Sequence, residues 1–331
     1  MRRQPHLLTR AQAQEPRSSY AGLVDGGRGE GGGAEERAAL VALLQRRPGG
    51  RRWAEITAEV LEAGSAVEVW QRLEPAVLLT PPGEPDPLDA AAEQIGRWAD
   101  RAWRLLGILD GDYPARLRGI HQAPPVLFAR GTLVRDDVAV SVVGSRQASP
   151  RGLAIAAGVA RELAARGVTV LGGLAGGIDT AAHRAALEAG GRTVCVIGTG
   201  IDRAYPAANR DLQEEIAANG LALSQFWPGA PPQRHNFLMR NATMSGYGLA
   251  TVVVEAGERS GSRAQARIAV EHGRPVILTS LVVERNDWAR ALAGRPGVHV
   301  ADRLQAVLDV VDDLIAEPSA VGAALRRLAP S

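Results

Sequence analysis

Lysine is absent from this chain: all 38 basic residues among its 331 are arginine. That excludes a P-loop GxxxxGK[ST], a Schiff-base lysine and a lysine general base. Any anion site must therefore use guanidinium forks, backbone N–H groups and helix N-termini. Cysteine is nearly absent. The single Cys195 allows neither an intramolecular disulfide nor a CxxC metal or iron–sulfur site within one chain. It sits inside the run Thr193-Val194-Cys195-Val196-Ile197 and reads as inert core. Aromatics make up only 4%, so the core must come from Ala, Val, Leu and Ile. No run of 18 apolar residues occurs, so no membrane span is expected. No apolar stretch follows Met1-Arg2-Arg3, so a secretory signal is not expected either, and a cytoplasmic location is. The six histidines show no ligand spacing such as HExxH, so neither a metal nor a cofactor is expected. There is no GxSxG nucleophile elbow. The formal net charge is +2, so any basic face must be local.

What is present divides the chain. Residues 1–35 read as a disordered leader, with a glycine-rich run at 26–33 and few apolar residues. Residues 36–106 read as a small all-helical domain. Leu40, Leu43 and Leu44 share one face, Trp53, Ile56 and Val60 a second, Val67, Trp70 and Leu73 a third. A proline-rich linker lies at 81–87, and a longer amphipathic helix is expected from Leu88 to Leu106. This domain fits either a helix–hairpin–helix DNA module or a packing and docking domain.

From Val138 short β-branched runs alternate with alanine-rich helical stretches. Strands are expected at Val138–Val143, Val168–Leu171, Thr193–Ile197, Leu221–Ser224, Thr251–Glu255, Pro275–Thr279 and Gly297–Val300. Near-continuous apolar strands separated by helices predict right-handed βαβ units in an α/β, doubly wound, mostly parallel sheet. This domain is placed at 107–316, with a tail at 317–331.

In such a sheet ligands bind beyond the carboxyl ends of the strands. The first strand is followed by Gly144-Ser145-Arg146, then by Ser149-Pro150, a good N-cap and N1 pair. Free N–H groups, a helix dipole and Arg146 together make an expected anion cradle. The second strand runs into Gly172-Gly173-Leu174-Ala175-Gly176-Gly177-Ile178-Asp179, where Asp179 is expected to cap a helix carrying His183. After the third strand Arg203 stands where a GxGxxG would place its last glycine, which speaks against a dinucleotide oxidoreductase. The segment 227–241 reads as a long exposed loop with Trp227, Arg234, Asn236, Phe237, Arg240 and Asn241. It is either a single-strand stacking platform or a cover for the sheet edge with solvated arginines. Ser260 is expected to cap a further helix, leaving a second anion-compatible end near Gly261. Glu255, at a strand end, is either a catalytic carboxylate or a helix cap.

Several ordered motifs together resemble the DNA-processing protein A (DprA, or Smf) family. They are Val142-Val143-Gly144-Ser145-Arg146; Gly173-Leu174-Ala175-Gly176-Gly177-Ile178-Asp179 with Ala182-His183; and Gly198-Thr199-Gly200-Ile201-Asp202 with Tyr205-Pro206 and Asn209. Asn236-Phe237 with Arg240-Asn241, Glu255 with Ser260-Gly261-Ser262, and the lead-in Asp112-Tyr113-Pro114 to Gly131 complete the likeness. It covers about 105–280. The resemblance implies an extended Rossmann fold that binds single-stranded DNA and hands it to the RecA recombinase in natural transformation, usually as a homodimer and without catalysis. It places DNA contacts on Gly144, Ser145, Arg146, Arg234, Asn236, Phe237, Arg240, Asn241, Ser260 and Gly261.

Four motifs depart from the family pattern: Gly176 replaces an arginine, Ala242 ends the RNR triplet, SGSLITA reads Ser260-Gly261-Ser262-Arg263-Ala264-Gln265-Ala266, and Leu278-Thr279-Ser280 replaces a proline-glycine after the sixth strand. No C-terminal winged helix is expected within this chain. The competing reading is a Rossmann protein that binds a nucleotide or hydrolyses a nucleoside monophosphate, with Glu255 as its acid.

Overall fold

The computed structural model of the protein describes residues 33–74 and 85–328. The expected leader and linker lie mostly outside the described residues. Four helices open the chain: α1 (Ala34–Arg46), α2 (Trp53–Ala63), α3 (Ala66–Leu73) and α4 (Pro87–Ala99). Then come β1 (Arg104–Gly107), α5 (Ala115–Arg118), β2 (Val126–Gly131), β3 (Ala139–Gly144), α6 (Pro150–Ala165), β4 (Thr169–Gly172), α7 (Ile178–Glu188) and β5 (Thr193–Ile197). They are followed by α8 (Arg210–Asn219), β6 (Leu221–Ser224), α9 (Arg234–Tyr247), β7 (Ala250–Glu255) and α10 (Gly261–Glu271). The chain finishes with β8 (Val276–Thr279), α11 (Ser280–Arg285), α12 (Asp287–Ala293), β9 (Val298–Ala301) and α13 (Leu304–Leu328). Among the described residues no helix is long and apolar enough to cross a membrane.

The strands form one sheet in the order β1-β2-β6-β5-β4-β3-β7-β8-β9. From β6 to β9 every pairing is parallel, whereas β1–β2 and β2–β6 are antiparallel. This is the expected doubly wound sheet with an antiparallel extension at one edge. The seven expected strands fall within a residue or so of their expected bounds. Two further strands, β1 and β2, have no counterpart among those expectations. The helix expected from Leu88 to Leu106 stops at Ala99, and Ala102 turns the chain with a positive φ of 56°. Leu105 and Leu106 then bury their side chains from a strand, not a helix. The apolar periodicity of a helix simply ran on into the apolar residues of a four-residue strand.

The N-terminal helices do not stand apart. Trp98 of α4 lies edge-on to Phe128 of β2 with ring centroids 4.9 Å apart, and stacks on Trp227 at 5.6 Å. Trp53 meets Trp227 edge-on at 5.3 Å and donates its indole N–H to Leu44 O. Of the two readings of this segment, these contacts support packing. Just before β3, Asp137 accepts from Thr169, Arg192 and Tyr247 and ties β4, the start of β5 and α9 to that strand.

The strand order reverses between β3, which leads on to β4, and β7, which leads on to β8. Their carboxyl ends, Gly144 and Glu255, lie side by side there. In a doubly wound sheet this is where a crevice opens for a ligand.

Candidate nucleic-acid interface

A cavity of about 870 Å³ occupies the crevice. Its walls are Gly144, Ser145 and Arg146 at the end of β3, Ala175 and Asp179 after β4, one face of α9, and Arg259 to Ser262 with Ala264 and Gln265 around the start of α10. Four arginines line it: Arg146, Arg234, Arg240 and Arg259.

The turn after β3 is fixed from two sides. Ser145 N donates to Glu255 O at 2.6 Å, and Ser145 O accepts from Ile178 N at 3.2 Å. Ser149 caps α6, accepting from Gly152 N, with Pro150 at the first helical position as expected. The free helix end expected there is not free, however. Ser149 N and Oγ both donate to Glu255 Oε2, at 3.0 and 2.8 Å. The protein's own carboxylate occupies the start of α6, so the anion-binding capacity of this turn rests on Arg146. Glu255 is also 3.9 Å from Arg285. Of its two sequence readings, capping fits this geometry.

Asp179 does not cap α7 either; Gly177 holds that position. Asp179 is buried and accepts from Gly173 N at 2.8 Å, bracing the glycine-rich loop. Burial raises its pKa, against the pull of Arg240 and the backbone N–H groups around it. Within that loop Leu174 takes a positive φ of 59°, and Asn209 holds its carbonyl at 2.9 Å.

The segment 227–241 is not one exposed loop. Residues 227–230 form a turn, with Ala230 N donating to Trp227 O at 3.0 Å, and α9 begins at Arg234. The helix buries polar side chains alongside Ala242, Met244 and Tyr247. It buries Asn236, Arg240, Asn241, Thr243 and Ser245 while Leu238 and Met239 stay 52% and 44% exposed. Asn236 does not line the cavity; its amide donates to Gly198 O and Pro231 O at 3.2 and 3.4 Å and pins the helix start. Asn241 lines the cavity and donates to Gly261 O at 3.4 Å, tying α9 to α10. Trp227 belongs to the aromatic cluster under the N-terminal helices.

Phe237 is half-buried. Its ring lies so close to Gly198 that a Cβ there would come within 2.7 Å of it. Arg146 sits over the ring at 5.7 Å and Arg240 at 6.0 Å, with Tyr205 tilted beside it at 5.4 Å. Aromatic faces flanked by guanidinium groups are what a base and a phosphate need side by side. Arg240 is not a solvated loop arginine: it is 6% exposed, and burial lowers its pKa despite nearby Asp179. It fits because residue 173 is glycine; a Cβ there would lie 1.3 Å from Nη1. Ser260 caps α10 as expected, accepting from Arg263 N. Arg263 itself is exposed and donates to Glu258 O.

The structure thus gathers Gly144, Ser145, Arg146, Arg234, Phe237, Arg240, Asn241, Ser260 and Gly261 around one cavity. Tyr205, Met244 and Gln265 join them; Tyr205 and Gln265 lie in the family motifs without an expected contact role, and no motif or charge pattern singles out Met244. Cys195 is fully buried in β5, where burial pushes its thiol up to about 12, as expected of inert core.

The protein is of the doubly wound α/β class, with an arginine- and aromatic-lined crevice at its switch point. Residues 104–294 match the family of DNA recombination-mediator protein A. This is more than half of the chain, and the chain belongs to that family. It is 44% identical over 175 residues to DNA processing protein DprA of Streptococcus pneumoniae, covering 51% of this chain and 60% of that protein. It is 40% identical over 173 residues to protein Smf of Synechocystis, covering 51% and 44%. The chain thus spans about half the length of the curated relatives it matches. The crystal structure of the S. pneumoniae protein superposes with a TM-score of 0.61 at 29% identity, over 83% of this chain and 95% of that one. DNA processing protein A of Helicobacter pylori, solved for its single-stranded DNA binding mode, shares the fold with a TM-score of 0.56 at 24% identity, over 65% and 96%.

Proposed function

We propose that this protein binds single-stranded DNA in the crevice between β3, β7, α9 and α10, and that it acts as a recombination mediator delivering the strand to a RecA-type recombinase. The observation that carries this reading is Phe237 on the wall of an open cavity with the guanidinium groups of Arg146 and Arg240 5.7 and 6.0 Å from its ring. Family membership supports it, and so does the single-stranded DNA binding of the H. pylori protein. In this reading residues 107–316 form the DNA-binding domain, 36–106 pack against it, and the protein works in the cytoplasm as a homodimer. The contacts are Gly144, Ser145, Arg146, Arg234, Phe237, Arg240, Asn241, Ser260 and Gly261, with Asn236 positioning α9. We assign binding without turnover, because the carboxylate that lines the crevice, Asp179, is buried and accepts from Gly173 N, and Glu255 beside it is engaged by the start of α6.

The test is a fluorescence-anisotropy titration of labelled oligo-dT against duplex of equal length at several salt concentrations. Tight single-strand binding with weak duplex binding is expected. Four cavity arginines predict a slope of log K against log salt of about −2 to −3. Equal affinity for the two polymers overturns the reading.

Two side chains should separate in that assay. Arg146→Ala is expected to weaken binding and flatten the slope by about 0.7, one single-strand phosphate. Phe237→Ala is expected to cost about 1–3 kcal/mol of binding with the slope unchanged, since no charge is lost. Circular dichroism of both variants checks that the fold survives.

Gly176 offers a gain. A Cβ there would meet nothing closer than Arg146 O at 3.8 Å. Gly176→Arg, which restores the arginine of the family pattern, is expected to tighten oligo-dT binding and steepen the slope by about 0.7. An unchanged slope would place residue 176 outside the strand's path.

A further inference from the structure

A second cavity, of about 190 Å³, lies at the amino-terminal end of β3, between the segments 111–118 and 134–137, with Tyr247 of the last turn of α9 as a wall. The crevice sits at the other end of the same strand. Three arginines line this second cavity: Arg116, Arg118 and Arg135. The carboxylates beside them are already engaged. Arg104 pairs with Asp112, and Asp137 takes Arg192 at 3.0 Å and the hydroxyls of Thr169 and Tyr247. Asp136 stands exposed on the rim. Among the described residues the three lining arginines make no ion pair. Arg116 donates instead from Nη1 to Asp137 O at 2.7 Å, and Arg118 from Nε and Nη2 to Ile108 O and Asp110 O at 2.8 and 2.6 Å. Main-chain carbonyls thus hold two half-buried guanidinium groups in place without neutralising them. Arg274 adds a further positive charge: its Nη2 donates to Arg116 O at 3.0 Å, and its buried Nε has no partner. Burial first, and Arg116 second, lower its pKa.

Like charges held around one cavity, with the neighbouring acids spoken for, call for an anion. A carboxylate has two oxygens, and a single guanidinium fork satisfies both. Three guanidinium groups from separate positions suit an anion with more acceptor oxygens, as a phosphate has. The volume equals that of about six waters at roughly 30 Å³ each. That is room for a phosphate group with a few waters, and short of the roughly 300 Å³ at which pockets for larger ligands begin. We propose that this cavity is a phosphate seat, separate from the crevice and built by Arg116, Arg118 and Arg135. The phosphate is either free or part of a nucleic-acid strand. Phe237 on the crevice and Tyr247 on this cavity belong to one helix, about 15 Å apart along its axis at 1.5 Å per residue. A strand leaving the crevice can cover that distance. The seat itself does not depend on the single-strand reading; only this second source of phosphate does.

The test melts the full chain in sodium phosphate, sodium acetate and sodium chloride at equal ionic strength. Phosphate is expected to raise the melting temperature of wild type above its value in chloride, and acetate to raise it less than half as far. Arg116→Gln combined with Arg135→Ala is expected to remove about 2–4 °C of the phosphate rise at about ten times the dissociation constant. Arg146→Ala, in the crevice, controls for phosphate bound there. The losses from the two sites are expected to add in the triple variant, because the sites share no side chain. Should Arg116→Gln not fold, Arg135→Ala gives the same comparison with at least half the loss, since this side chain is exposed. A phosphate rise that is the same in wild type and in the cavity variants overturns the proposal, and so does an acetate rise equal to that in phosphate. Oligo-dT anisotropy at several salt concentrations separates the two sources. If a strand fills the seat, Arg135→Ala flattens the slope of log K against log salt by about 0.7. An unchanged slope, with the phosphate rise lost, assigns the seat to a free phosphate group. If oligo-dT does not bind at all, the single-strand reading fails, and the phosphate melts still decide for or against the seat.

Discussion

Lowering the pH from 7.5 to 5 is expected to remove about 2 kcal/mol of folding stability through His183. The residue is fully buried on α7, with Nδ1 2.6 Å from Thr193 Oγ1. The Thr193 hydroxyl donates its own proton to Val170 O at 2.7 Å. His183 must therefore donate from Nδ1, which leaves Nε2 bare, and Nε2 has no partner. A proton added to Nε2 would place a second buried charge near Arg240. Burial first, and that guanidinium second, push the imidazole pKa down to about 3. The unfolded chain binds a proton near pH 6.5, where the folded protein does not. Stability from this group is therefore complete above that value and falls by about 1.4 kcal/mol per unit as the pH drops toward 3. Guanidinium chloride titrations at pH 7.5, 6.5, 5.5 and 5.0 measure it. The control is His183→Leu, which keeps the remaining acid-sensitive groups, including His272 with its lowered pKa. Wild type should lose more stability than the variant by about one proton's worth of slope. Parallel curves would mean that His183 is already protonated, or solvated, in the native state.

The parallel sheet was legible because each strand is buried on both faces and therefore reads as an unbroken apolar run. The glycine turns were legible because they follow those strands. Helix α9 was not, and the reason is physical. Helical periodicity is recognised when the apolar stripe faces the core. In α9 Asn236, Arg240, Asn241, Thr243 and Ser245 are buried alongside Ala242, Met244 and Tyr247, while Leu238 and Met239 are exposed. Polar side chains buried beside a cavity look, in sequence, like an exposed loop. The same burial hid the role of Arg240, since buried and solvated arginines share one letter. Glu255 illustrates a different limit. Both of its sequence readings were chemically sound. What favours capping is the register of β3 against β7, which no local pattern carries.

The largest single-site effect on the crevice is expected from Gly177→Ala. Gly177 has φ 75°, a region that costs an L-residue roughly 1–2 kcal/mol. Its added Cβ would lie 2.2 Å from Ser145 O and 2.8 Å from Arg146 O. Both are backbone atoms, so no side chain can swing away to relieve the contact. The turn after β3 is held in place by Ser145 N on Glu255 O and by Ile178 N on Ser145 O. To admit a methyl group, the turn must therefore break the second bond and shift, carrying Arg146 away from Phe237. Strain and overpacking together are expected to cost about 3 kcal/mol of stability. Oligo-dT affinity should fall at least as far as in Arg146→Ala, and the salt slope should flatten in the same way, because the same phosphate contact is lost. Gly176→Ala is the matched control: one residue earlier, its Cβ has nothing closer than 3.8 Å, so it should bind and melt like wild type. Denaturant titrations give the stability difference, and anisotropy titrations at two or more salt concentrations give the slope. If Gly177→Ala folds normally and keeps the wild-type slope, Arg146 does not owe its position to the interlock between the two turns, and its phosphate contact must be set by the cavity's other walls.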